Sequence, residues 1–193
     1  MDEINEKIRY LNEKGFPVML MVTGNNSSGK TRLTNELIKN LDFYQTINLG
    51  LASKLVRYFR PDIDASHLEN FNGNEATKIF NDLIELIIDS YSNTGVNVII
   101  EGVQIDTAKH SKDLRILGGV ILEVDQSKAI QRGINPETHF LRNLMKKDLK
   151  HIKYEENTLF RKIDNNNSFT DTYKTALDHI AKLLDNKISI HGK

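Results

Sequence analysis

Residues 17–37 read PVMLMVTGNNSSGKTRLTNEL, and the fold turns on them. The stretch from Pro17 to Thr23 is an unbroken apolar run of strand length. Such a run suits a parallel strand buried on both faces. Gly24 to Gly29 is a turn-rich loop. Beyond it, Leu33, Leu37, Ile38 and Leu41 mark the inner face of a helix that reaches about Leu41. Gly24-Asn25-Asn26-Ser27-Ser28-Gly29-Lys30-Thr31 fits the pattern G-x-x-x-x-G-K-[ST]. Glycines let a backbone wrap closely around a phosphate chain, so that successive N–H groups point inward. A helix starting near Gly29 offers its unpaired N–H groups and positive dipole end to the same anion. Lys30 can then reach the β- and γ-phosphates, and the Thr31 hydroxyl can ligate Mg²⁺. The loop, with Arg32 beside it, is the expected nucleotide-binding segment.

Working outward, Ile4, Ile8 and Leu11 predict an amphipathic helix over residues 3–14, ended by Gly15 and Pro17. Residues 44–49 read as a second strand, and LASKLVRYF as a helix stopped by Pro61. Phe80, Leu83, Ile84, Ile87, Ile88 and Tyr91 form an apolar stripe of period 3.6 over 75–91. Further strands are expected at 96–100, 119–124 and 160–163. A helical, Lys/Arg-rich segment spans 126 to about 153. A last helix follows Asn165-Asn166-Asn167, with Thr170 or Asp171 near its cap. Strands alternating with helices imply an α/β fold, a parallel sheet flanked by helices in three layers. The 193 residues suffice for a single domain, with room for a small lid or insertion.

Composition narrows the classes. Lys and Arg number 26 and so do Asp and Glu, so nothing global steers the chain toward nucleic acid or an anionic membrane. There is no Cys, which excludes disulfide scaffolds, thiolate zinc sites and cysteine nucleophiles. No apolar run is long enough to cross a membrane, and the charged start MDEINEKIRY is unlike a secretory signal. A cytoplasmic protein acting on a small-molecule substrate is the expectation, with a homodimer possible. The six His residues show no i, i+4 pairing and read as surface or structural.

Two carboxylates sit where strands end. Glu101 closes NVIIE, at the edge where open α/β sheets bind ligands. It could order Mg²⁺ or accept a proton from an attacking hydroxyl, or simply cap the strand. Asp125 closes ILEVD and could help a metal or only cap the next helix.

With these residues in view, the chain resembles the P-loop kinases of the nucleoside/nucleotide kinase-like group, from about Pro17 to Leu184. VTGNNSSGKTRLTNEL is similar to the first strand, loop and helix of uridine-kinase-like enzymes. NVIIEGVQID and LASKLVRYFRP resemble segments of 2-phosphoglycerate-kinase-like proteins. The resemblance implies the P-loop nucleoside triphosphate hydrolase fold, ATP and Mg²⁺ as cofactors, and transfer of the γ-phosphate to a small metabolite. It places Arg57 and Arg60, and with them Gln104, on the acceptor side. A guanidinium there would suit a carboxylate or phosphate on the acceptor. It places a small helical lid over roughly 126–156, with Arg132 and Arg142 and the neighbouring Lys146 and Lys147 in it, where arginines stabilise charge on the transferring group. The solvated-surface reading of these basic residues stays open, because Asp148, Glu155 and Glu156 lie close by. The resemblance puts the adenine-contacting loop at Asn165 to Asn167, with Asn166 as the site candidate, although Asn is also a favoured turn residue. The chain departs from the group where TINLGLAS lacks a carboxylate and where Glu101-Gly102-Val103-Gln104 replaces an acidic-Arg-Ser pattern. The acceptor therefore stays open between nucleoside-like and phosphoglycerate-like. The competing class is an ATPase or switch acting on a protein partner. Against it, VNVIIEG lacks an Asp-Glu pair, and no Asn-Lys-x-Asp base-reading motif occurs.

Overall fold

The computed structural model describes residues 1–25, 27–51, 74–103, 105–133 and 154–191. Asn26, Arg57, Arg60, Gln104, Arg142, Lys146, Lys147 and lid residues 134–153 lie outside them. In chain order the described elements are α1 (Asp2–Glu13), β1 (Met19–Gly24), α2 (Lys30–Asn40), β2 (Gln45–Asn48) and α3 (Asn74–Thr94). They continue with β3 (Val98–Glu101), α4 (Thr107–His110), β4 (Gly118–Glu123), α5 (Gln126–Gly133), β5 (Phe160–Asp164) and α6 (Phe169–His191).

All five strands are parallel, in the order β2-β3-β1-β4-β5. β1 is central, which explains its continuous apolar run: both faces are covered. Leu20 and Val22 point to one layer, with Ile8 and Leu11 of α1, Leu33 and Leu37 of α2, and Ile180 and Leu184 of α6. Met19 and Met21 point to the other, with Ile84 and Ile88 of α3, Val98, Ile100 and Phe160. The strand's period of two thus feeds two cores, giving the three layers the sequence implied.

Details differ from the sequence reading at element ends. β1 begins at Met19 rather than Pro17. Val18 N instead donates to the buried Asn97 Oδ1 at 2.8 Å, and Asn97 Nδ2 donates to Asp42 O. The cap of α6 is Ser168, beside the expected Thr170 and Asp171: its Oγ accepts from Thr170 N at 3.1 Å. β2 is an edge strand with exposed ends, and it spans 45–48 of the expected 44–49. The short helix α4, capped by the Asp106 carboxylate accepting from Ala108 N, was not anticipated.

The order places a switch point beside β1. β1 leads by way of α2 to β2 on one side, and β3 leads to β4 on the other. Ligands of open α/β sheets bind in the crevice beyond such a point, at the carboxyl ends of the strands. The register pairs Val22 with Glu101 and Asn48 with Glu101, so these carboxyl ends lie level.

Candidate phosphate-binding site

The loop leaving β1 is shaped by two glycines. Gly24 has φ +129°, and a Cβ there would strike the Leu122 carbonyl of β4. Gly29 has φ +94°, and a Cβ there would lie 2.5 Å from Asn165 Nδ2. The close approach that requires glycine is therefore partly to the protein's own β4 and β5–α6 connection. Ser27 takes a left-handed conformation with φ 58°, and Ser28 N donates to Asn25 O at 3.2 Å, closing the turn.

α2 starts directly from this loop. Its N-cap is Gly29, and no side chain caps it. The first-turn N–H groups are thus left for an anion, with the dipole favouring negative charge. Lys30, 9% exposed, donates from Nζ to Gly24 O at 3.0 Å and Asn25 O at 2.7 Å. An ammonium has three donors, so one remains for a further acceptor. Burial pulls the Lys30 amine down to about 8, opposed by the Glu101 charge.

Glu101 is the hub. It is buried at the end of β3, and its Oε1 accepts from Thr31 Oγ1 at 2.6 Å and from Asn48 Nδ2 at 3.3 Å. Its Oε2 accepts from Thr34 Oγ1 at 2.8 Å. The Thr31 hydroxyl and the Glu101 carboxylate, paired by sequence reasoning across 70 positions, are therefore in contact. Thr34 and Asn48 were missed. Thr34 lies one helical turn beyond Thr31 on the same face, and that i, i+3 spacing was the available signal. Nothing in the sequence marked Asn48, because strand pairing brings it in.

The other candidates are placed as follows. Asn166 is turned to the β4–α5 connection: its Oδ1 accepts from Asp125 N at 2.8 Å, and its carbonyl from Lys128 Nζ. Asn165 rather than Asn166 touches the loop, through Nδ2 to Ser28 O at 2.7 Å. Asp125 precedes α5, with its carbonyl accepting from Ala129 N, which is the capping position. Arg132, near the end of α5, donates to Asn165 O at 2.7 Å. The Arg32 guanidinium stacks on Phe169, 3.9 Å from the ring centroid. Tyr154, near the end of the expected lid, donates to Val103 O at 2.8 Å, and burial pushes its phenol up to about 12.

A glycine-bounded loop after the central strand, an uncapped helix N-terminus, and a sheet of order 2-3-1-4-5 occur together. The fold is that of a P-loop nucleoside triphosphate hydrolase. The chain superposes on the crystal structure of a gluconokinase from Sinorhizobium meliloti with a TM-score of 0.59 at 17% identity, covering 89% of this chain and 95% of that one. An uncharacterized protein from Eubacterium ventriosum matches with a TM-score of 0.51 at 16% identity, over 88% of this chain and 98% of that one. At these identities the likeness is one of fold. No family model and no curated relative matches the sequence.

The P-loop residues fit a phosphate chain and a hard cation. Ser28 Oγ is buried without a partner among the described residues, inside the loop itself. Such an orphan donor is what a bound oxyanion would satisfy. Thr31 and Glu101 offer adjacent oxygen donors of the kind Mg²⁺ takes. One other group, Glu85, His110 and Asp113, gathers its donor atoms within 4.8 Å. There Arg115 already holds both carboxylates, bonded to Glu85 and Asp113 at 2.7 Å each. That cluster is an ion-pair anchor between α3 and the loop before β4. Among the described residues, no helix is long and apolar enough to cross a membrane.

Proposed function

We propose that the protein is an ATP-dependent small-molecule kinase, moving the γ-phosphate of ATP·Mg²⁺ to a hydroxyl or phosphate of a small metabolite. The observation that carries this reading is the contact of the Thr31 hydroxyl with the Glu101 carboxylate, directly beside the buried Lys30 ammonium. Gly24 to Thr31 bind the phosphate chain through backbone amides, and Lys30 neutralises charge on it. Thr31 and Glu101 are the residues that would hold Mg²⁺, which when bound would supply positive charge against the negative charge developing on the transferring group.

Glu101 orients this corner of the site. Both its oxygens are engaged by hydroxyl or amide donors, which suits a fixed negative charge better than a proton shuttle. Arg132 and Arg142 are the proposed lid arginines. Arg57, Arg60 and Gln104 are the proposed acceptor contacts. The gluconokinase neighbour supports kinase chemistry in general, and a sugar acid joins nucleosides and phosphoglycerates as an acceptor class to test.

The test follows the γ-phosphate. Labelled ATP is incubated with panels of sugar acids, nucleosides, nucleotides and phosphoglycerates, and the products are separated. Label arriving on one acceptor class, with turnover stimulated by it, is the expected result. Label released only as inorganic phosphate, at one rate whatever the acceptor and faster with a protein partner, would replace the kinase by an ATPase that drives that partner.

A further inference from the structure

Asn165 is 3% exposed and ties four parts of the molecule together. Its Nδ2 donates to Ser28 O of the phosphate-binding loop at 2.7 Å, and its Oδ1 accepts from Thr172 Oγ1 of α6 at 3.0 Å. Its backbone N donates to Glu123 O of β4, and its carbonyl accepts from Arg132 of α5. A carbonyl can only accept, so the amide nitrogen must face Ser28. That one contact fixes the side chain's orientation, since the Thr172 hydroxyl could either donate or accept.

We propose that Asn165 is a positioning residue for the phosphate-binding loop, setting the Ser28–Gly29 peptide through its carboxamide and joining that peptide to α5 through Arg132. The inference rests on the reading of the loop as a nucleotide-phosphate site. In a planar trans peptide the carbonyl and the next N–H point in opposite directions. Holding Ser28 O toward Asn165 thus turns the Gly29 N–H to the other side of the same plane. Gly29 is also where a Cβ would collide with the Asn165 amide. The glycine of the motif and this asparagine, 136 positions apart, are one steric and hydrogen-bonded unit. A nucleotide that binds the loop would meet amides already aimed, which lowers the ordering cost of binding.

The experiment compares Mg·ADP affinity of the wild type, Asn165→Asp and Asn165→Leu, with circular dichroism and Tm as controls of folding. As a carboxylate, Asp sets an acceptor against the Ser28 carbonyl; protonated, it regains a donor there. The expected Kd ratio of Asn165→Asp to wild type is roughly 10-fold or more near pH 8, falling toward one near pH 5.5, because burial favours the protonated acid. Asn165→Leu should bind weakly at both. A ratio near one at the higher pH in folded protein, or a defect that does not recover on acidification, would overturn the proposal in favour of plain packing. If Asn165→Asp fails to fold, Thr172→Val unanchors the far end of the amide. It should weaken Mg·ADP several-fold, and an unchanged Kd would equally overturn the proposal. Failure of the wild type to bind Mg·ADP is a different outcome, because it removes the nucleotide reading itself.

Discussion

Lys30, the proposed phosphate-binding lysine, shows what burying an amine costs a protein. Its amine is buried, held by two carbonyls, and depressed to about 8 from an ordinary 10.5. A lysine whose folded pKa is lowered destabilises the fold below that value, and the penalty fades as pH rises toward the unfolded pKa. Lys30→Met should therefore be more stable than wild type at neutral pH by up to about 3 kcal/mol, an advantage shrinking by about pH 10. Denaturant titrations of both proteins at the two pH values read this directly. An advantage that does not change with pH would mean that the lysine is not strained by burial. Lys30, Thr31 and Glu101 were all legible in the sequence, because a contiguous motif and a strand-end carboxylate are local signals. Asn165 stands in a run of three Asn, in which the expected site residue is Asn166. The run itself carries no sign of which amide faces the loop; that depends on how β5 ends against β4.

At the scale of elements, periodicity identified the helices because each buries one stripe. Leu33 and Leu37 of α2 are wholly buried against the sheet. Leu37→Ala should cost about 2–5 kcal/mol through lost transfer energy and a cavity. Leu86→Ala, on an exposed position of α3, should stay within about 0.5 kcal/mol. Denaturation midpoints at an unchanged slope check both, and a large loss at Leu86 would mean that α3 buries a different face. Element ends were less legible because they are set by side chains from elsewhere. Asn97 takes the amide of Val18, and Ser168 caps α6. Helix α4 is a single turn, too short to carry a period, and only Asp106 could have announced it.

For the whole molecule, the sequence implied a parallel three-layer sheet, but strand order is a matter of pairing between distant segments and leaves no local trace. The order 2-3-1-4-5 is what brings β1, β2 and β3 level, so that Thr31, Thr34, Asn48 and Glu101 converge beside the loop. Zero net charge takes on meaning at this scale: the proposed site draws its positive character locally, from Lys30, the amides of one loop, the dipole of α2 and a few proposed arginines. The balance of signs elsewhere is spent in anchors such as Arg115 with Glu85 and Asp113. The central claim is that this convergence holds a nucleoside polyphosphate with Mg²⁺. It is tested most directly by titrating ADP and a non-hydrolysable ATP analogue into wild type and Glu101→Gln, each with and without Mg²⁺. The wild type should bind the analogue markedly more tightly with Mg²⁺, and Glu101→Gln should lose most of that gain while keeping its fold. Affinity indifferent to Mg²⁺ in both proteins, or no nucleotide binding by the wild type, would contradict the account.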